Sequence, residues 1–172
     1  MAFPFIFVFS SQVVLGWTDL KKRYLSFIIS LLVYLVISNL SYFPHYLSYF
    51  NELLIDRKMS YTILADSNLD WGQNKNYLKQ YLEKNSDTAY LKFDKKGKLG
   101  FFNSKGEINA QKLNPGLIVV EANQLVGIAA DPENFRWLRE NKKPVGHIAY
   151  SYLIFEIEPQ DLTRLNPNLN NI

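Results

Sequence analysis

The sequence predicts two transmembrane helices followed by a small extracytoplasmic α/β domain, a mixed sheet carrying about two helices. Three observations predict this. Residues 1–43 are predominantly apolar, whereas residues 44–172 have the mixed composition of a water-soluble domain. A basic cluster, Lys21–Lys22–Arg23, falls between two apolar runs, where the positive-inside rule places it in the cytoplasm. Beyond residue 60, short apolar runs alternate with amphipathic helical patterns in the order strand, helix, strands, strand, helix, strand.

Phe3–Trp17 is apolar except for Ser10, Ser11 and Gln12, and reads as a helix that starts abruptly, as though within a longer protein. A signal peptide is the rival reading. Against it, no Lys or Arg precedes the run and no small-x-small cleavage site follows. Leu25–Phe43 is uncharged, and at about 1.5 Å per residue it matches the bilayer core as a second span. With the basic loop inside, the chain after Phe43 lies outside. Residues 44–60 form an expected interfacial segment: Leu47, Phe50 and Leu54 recur at helical spacing among aromatics suited to the headgroup level. Packing of those aromatics against the soluble domain is the equal alternative.

The part of about 130 residues after position 43 can bury its own core, with the α/β domain over residues 61–160. Tyr61–Ala65 reads as a strand. Gln73–Lys84 reads as a helix, with Asp70 and Gln73 at capping-box spacing. Thr88–Phe93 and Leu99–Phe102 read as strands joined by DKKGK, with a second turn at NSKGE, and Gly97 and Gly106 supply positive φ. Leu117–Glu121 reads as a buried strand. Asp131 caps a helix with Pro132 in its first turn, running to about Asn141. His147–Ile157 reads as one long central strand, with a bulge where needed. Two helices on one face of the sheet complete the expected packing, and residues 161–172 form a loose tail.

The net charge of the 172-residue chain is +3. Lys21, Lys22, Arg23 and Asp19 contribute +2 of it, leaving +1 elsewhere. So even a balance gives no electrostatic case for nucleic acid. The chain has no cysteine, which accords with an extracytoplasmic domain built without disulfides. Walker, dinucleotide and G-x-S-x-G patterns are all missing from the sequence, and no cofactor is expected.

Two words, PHYLSYFNE (Pro44–Glu52) and DSNLDWGQ (Asp66–Gln73), resemble the end of polytopic GT-C glycosyltransferases, in particular the bacterial dolichyl-phosphate-mannose–protein mannosyltransferase-like family. PGLIVVEANQLVGI and FRWLRENKKPVGHIAYSYLIFEI extend the likeness, which runs from Phe3 to Glu158 and lapses over Leu91–Gln111. The resemblance implies the C-terminal, membrane-anchored portion of an enzyme that uses a polyprenyl-phosphate sugar. Its expected partners are the lipid bilayer, that lipid-linked sugar and the missing N-terminal transferase part. Such enzymes act through an acidic first extracytoplasmic loop with no counterpart here. Asp19, in the loop expected to be cytoplasmic, cannot substitute, so no catalytic residue is nominated and no activity is expected of the chain alone. The alternative is a non-catalytic, membrane-tethered module that binds a protein or glycan.

Asp66, Asn68, Asp70, Trp71, Gln73, His45, Asn51 and Glu52 are the ligand-binding candidates. The alternation of Asp66, Asn68 and Asp70 has the opening spacing of a calcium loop. Trp71 then stands where the loop needs glycine and Tyr77 where it needs glutamate, so no metal site is assigned. An Asx-turn at Asp66, a helix cap at Asp70 and Trp71 as an interfacial anchor are the structural alternatives. A hydrolase working through Asp66 and Asp70 is disfavoured, because nothing marks a cleft.

Overall fold

The computed structural model describes residues 8, 11, 21–50, 53–65, 71–94, 96–108 and 114–165. It divides into two units, residues 1–43 and residues 44–172. In the first, α1 (Lys22–Leu40) is 19 residues long and exposes apolar side chains nearly all round. Among the described residues it is the one helix long and apolar enough to cross a membrane. Its polar side chains turn back on its own backbone: Ser30 donates to the Ser26 carbonyl and Asn39 to the Leu35 carbonyl, both at 2.9 Å. Such bonds satisfy polar groups where no water is at hand.

α1 sits three residues earlier than the expected Leu25–Phe43 span, so Lys22 and Arg23 form its first turn rather than a loop. Long basic side chains continue a helix while their heads reach water. Its end at Leu40 has a cause too, because Pro44 disfavours helical backbone just before it. The other expected span, Phe3–Trp17, lies outside the described residues apart from Val8 and Ser11.

The second unit is a small α/β domain built on a six-stranded mixed sheet of order β3-β2-β1-β4-β6-β5. The strands are β1 (Ala89–Phe93), β2 (Leu99–Asn103), β3 (Gly106–Ile108), β4 (Gly116–Glu121), β5 (Gly146–Ile148) and β6 (Tyr152–Ile157). β1 and β4 are parallel and every other neighbouring pair is antiparallel. The helices are α2 (Lys75–Lys84), α3 (Ala122–Leu125), α4 (Arg136–Asn141) and α5 (Pro159–Leu165).

Strand alternation sorts the core into two layers. Leu91, Phe93, Ile118, Val120, Leu153 and Phe155 face Leu125, Phe135, Leu138 and Leu165. On the opposite face Val119, Tyr152 and Ile154 meet Leu78 and Leu82 of α2. Helices therefore cover both faces, not one. The reason is visible in β4, whose Ile118, Val119 and Val120 are all buried, so neither face could be left to water.

Local structure departs from expectation at five places. Residues 44–60 do not form an amphipathic helix among the described positions; they contain 3-10 turns at Tyr46–Ser48 and from Arg57 to Thr62. That second turn also replaces the expected strand Tyr61–Ala65. Asp56 starts it by accepting the Lys58 N–H at 3.1 Å, and Tyr61 is buried while Ile63 and Leu64 remain exposed. The expected strand His147–Ile157 is instead the hairpin β5–β6. Asp131 does accept the Glu133 N–H at 2.9 Å, but residues 132–135 are turns and regular helix starts at Arg136.

The fifth departure is α5, which occupies the start of the expected loose tail. Pro159 opens it, and Asp161 reaches back to the Glu158 N–H at 2.9 Å, the acidic half of a capping box. Asp161 is buried and pairs with Lys142 Nζ at 2.6 Å. The two hairpin turns at Gly97 (φ 77°) and Gly106 (φ 128°) form as expected, and a short further strand, β3, follows the second.

Gln124 extends the sheet by a side chain. Its amide accepts the Phe93 N–H at 2.8 Å and donates to the Phe93 carbonyl at 3.2 Å, all buried. Gln124→Leu strands both backbone groups and is expected to cost about 1–3 kcal/mol of unfolding free energy. Urea denaturation of the two proteins checks this; equal stability would contradict it.

Candidate functional site at the β5–β6 turn

Among the described residues, the turn between β5 and β6 is where non-glycine backbone enters the left-handed region. Ala149 and Tyr150 both have positive φ, 51° and 61°, and the Ser151 N–H closes on the Ile148 carbonyl at 3.2 Å. This is type I′ geometry, which asparagine and glycine adopt cheaply. An L side chain there costs about 1–2 kcal/mol per residue. Strain of this kind persists only where the surroundings impose it.

Those surroundings are polar and buried. Asn74 Nδ2 donates to Ser151 Oγ at 2.6 Å and lies 3.4 Å from the Ala149 carbonyl. The Ala149 carbonyl also accepts from Ser151 Oγ at 3.2 Å and from Ser48 Oγ at 3.5 Å. The Ser151 carbonyl takes the Ala122 N–H at 2.8 Å, tying the turn to α3. Asn74 is the residue before α2 and would ordinarily cap that helix. It makes no side-chain cap bond, and its Nδ2 donates to the turn instead.

The turn in turn assembles an aromatic cluster. The His147 ring stacks on Tyr150 with centroids 4.2 Å apart, and the Tyr150 N–H lies 3.3 Å from His147 Nδ1. His45 meets the same tyrosine edge-on at 6.1 Å and Tyr77 of α2 at 4.7 Å. Arg57 Nη1 is 3.4 Å from the Tyr150 hydroxyl. Burial pushes the His147 pKa below the usual histidine range, and the neighbouring charges of His45, Lys58 and Arg57 lower it further, with Asp56 opposing them. Asp56 is also within 3.7 Å of Lys58 Nζ.

Of the residues nominated from sequence, His45 is thus in the cluster. Trp71 and Gln73 bond to each other, the Trp71 N–H donating to Gln73 Oε1 at 2.6 Å, so that glutamine does not serve as a capping-box partner. The Trp71 side chain is 76% exposed. Asp66, Asn68, Asp70, Asn51 and Glu52 lie outside the described residues. His147 reads in the sequence as a strand opener, and no sequence motif marks Arg57, Asn74 or Tyr150. The i, i+3 spacing of His147 and Tyr150 was the available signal, hidden because Ala149–Tyr150 carries no turn chemistry.

A second feature lies in residues 47–64. Leu47, Tyr49, Phe50, Leu53, Leu54, Ile63 and Leu64 line an open groove of about 520 Å³. Leu53 is 89% exposed and Ile55 96%, so this rim presents bare aliphatic side chains. No group of three metal-ligating side chains occurs among the described residues. No family model, curated protein or solved structure matches the chain.

The depressed His147 pKa gives stability a sign with pH. Above about 6.5, the ordinary histidine value, His147 is neutral in both states and its contribution is complete. As pH falls toward the lower folded value, the unfolded chain takes up the proton first, and that contribution is lost. His147→Gln should therefore flatten the fall in unfolding free energy between pH 7 and pH 5, read by urea denaturation. A slope identical to wild type would contradict the assignment.

Proposed function

We propose that the chain is the membrane-anchored, extracytoplasmic C-terminal portion of a lipid-phosphate-sugar-dependent glycosyltransferase of a bacterial inner membrane, without transfer activity by itself. The words PHYLSYFNE and DSNLDWGQ support the family, which is related to the mannosyltransferase-like GT-C enzymes. The observation that carries the membrane placement is the bare apolar rim at residues 47–64, which begins seven residues after α1 ends at Leu40. A water-facing loop gains nothing from exposing Leu53, Ile55 and Ile63. The same side chains are favourable at about 25 cal/mol per Å² when a lipid interface covers them. Lys21, Lys22 and Arg23 at the other end of α1 favour a cytoplasmic start and an external domain.

In this reading α1 fixes the domain at the outer surface and the rim lies at headgroup level. The DSNLDWGQ word would then take part in recognising the polyprenyl-phosphate sugar or its acceptor. The transfer chemistry belongs to the acidic loop of the N-terminal transferase part.

The lack of native cysteine provides a clean test. A single Lys143→Cys substitution on the exposed α4–β5 loop is expected to react with a membrane-impermeant maleimide in intact cells, with the chain retained in alkali-washed membranes. A photoreactive polyprenyl-phosphate sugar should cross-link within residues 44–73. Labelling only in broken cells, release by alkali, or cross-linking confined to other proteins would each overturn the proposal.

A further inference from the structure

We propose that the groove between α2 and the β1–β2 hairpin docks an acidic peptide segment of a partner protein, one in which carboxylate side chains alternate with large apolar ones. The proposal does not rest on the glycosyltransferase reading, and its failure would leave the tests of anchoring and orientation untouched.

The groove has a volume of about 350 Å³, and Leu78, Leu82, Tyr90 and Phe102 form its apolar floor. α2 packs through Leu78 and Leu82 onto Val119, Ile148, Tyr152 and Ile154, the part of this sheet face that belongs to β4, β5 and β6. The same face runs on past the helix to β1 and β2, where Tyr90 and Phe102 are register partners and stand half-buried. Their neighbours set both rings in place. The Tyr90 hydroxyl lies 3.2 Å from Glu121 Oε2, and its ring meets Tyr152 edge-on at 5.9 Å. The Phe102 ring lies so close over Gly100 that a Cβ there would stand 2.7 Å from its Cε2. A floor preformed in this way costs a ligand little to order.

The walls carry the charge. Lys75 and Lys79 stand one turn apart on α2 and Lys92 on β1, and among the described residues no carboxylate lines the groove. Lys79 meets Glu83 at 3.9 Å with both side chains more than half exposed, an ion pair of little strength. Among the described residues neither Lys75 nor Lys92 is in an ion pair. The nearby acids are placed elsewhere. Glu121 holds the Tyr90 hydroxyl, and Asp94 accepts the Lys96 and Lys98 N–H groups at 2.8 Å. Glu107 lines an adjoining hollow in the company of Lys98.

The shape selects the occupant. Extended backbone turns successive side chains to opposite faces. An apolar side chain directed at the floor therefore leaves its two neighbours directed outward, where lysines stand on both walls. A free anion would meet the lysines and leave the floor uncovered. A bilayer surface would cover the exposed lysines without reaching Leu78 and Leu82, which are buried beneath them. Only a narrow chain carrying both kinds of side chain uses floor and walls together, with the charges giving it specificity and a faster approach.

Fluorescence anisotropy with the full chain in maltoside micelles tests this, with the labelled peptide GEFELEG as probe and empty micelles as the blank. Saturable binding is expected, and it should weaken at high sodium chloride as the charges are screened. The charge-reversed peptide GKFKLKG and the peptide GESESEG, which lacks the apolar side chains, should not bind. Lys75→Gln and Lys92→Gln, at exposed positions, should each weaken binding roughly threefold. The triple variant that adds Lys79→Gln should weaken it by more than about tenfold, while Lys143→Gln on the α4–β5 loop leaves it unchanged. Equal binding of the three peptides, or unaltered affinity in the triple variant, would overturn the proposal. So would Tyr90 and Phe102 ring-proton shifts that follow phosphatidylglycerol content in nanodiscs and ignore added peptide, which would make the groove a lipid site.

Discussion

The buried amide of Asn74 is the contact on which the rest of the site depends. It stands at the junction of α2 and the β5–β6 turn, 2.6 Å from Ser151 Oγ and 3.4 Å from the Ala149 carbonyl. Two side chains in left-handed backbone cost about 2–4 kcal/mol together. The bonds from Asn74, Ser48 and Ser151, at about 1 kcal/mol each, offset a cost of that size. The turn places Tyr150 against its sequence neighbour His147 and against His45 and Arg57, which lie far from it in sequence.

The fold was legible where burial has a simple period. The apolar run ending at Glu121 became an interior strand, the lysine-glycine turns became hairpins, and Leu78 and Leu82 mark the buried face of α2. The same run also held a signal that was not taken up: consecutive buried Ile118, Val119 and Val120 require cover on both faces, and hence helices on both. Glu158–Pro159–Gln160–Asp161 was a readable helix start that Asn-rich text beyond it obscured. By contrast, Tyr61–Ala65 looks apolar enough for a strand, yet the turn that Asp56 caps runs into it and the Ile63 and Leu64 N–H groups bond back to the Ser60 carbonyl. No local pattern reveals such a choice in advance.

The site was less legible than the fold, for a physical reason. Sequence spacing reports residues that share an element, and here the participants come from a turn before the sheet, the start of α2 and a hairpin near the C-terminus. His45 was found because it lies in the aromatic word after the span. His147 and Tyr150 were hidden because Ala149–Tyr150 does not look like a type I′ turn. Its unusual geometry is imposed from outside by Asn74 and Ser48. Leu53 and Ile55 of the apolar rim fall in the expected interfacial segment, read there as a regular helix, whereas Ile63 falls in the expected strand Tyr61–Ala65. Leu53, Ile55 and Ile63 lie outside the two 3-10 turns, in irregular backbone that shows no helical stripe.

NMR of the wild-type chain beside an Asn74→Ala variant addresses the central claim most directly, by following ring-to-ring proton contacts and exchange of the Ser151 amide. If Asn74 holds the turn, the variant should lose the contacts of Tyr150 with His45 and His147, and its Ser151 N–H should exchange faster while the β1–β4 amides stay protected. Persistence of both ring contacts and of Ser151 protection in the variant would contradict the account, leaving the left-handed turn to be explained by something other than this amide.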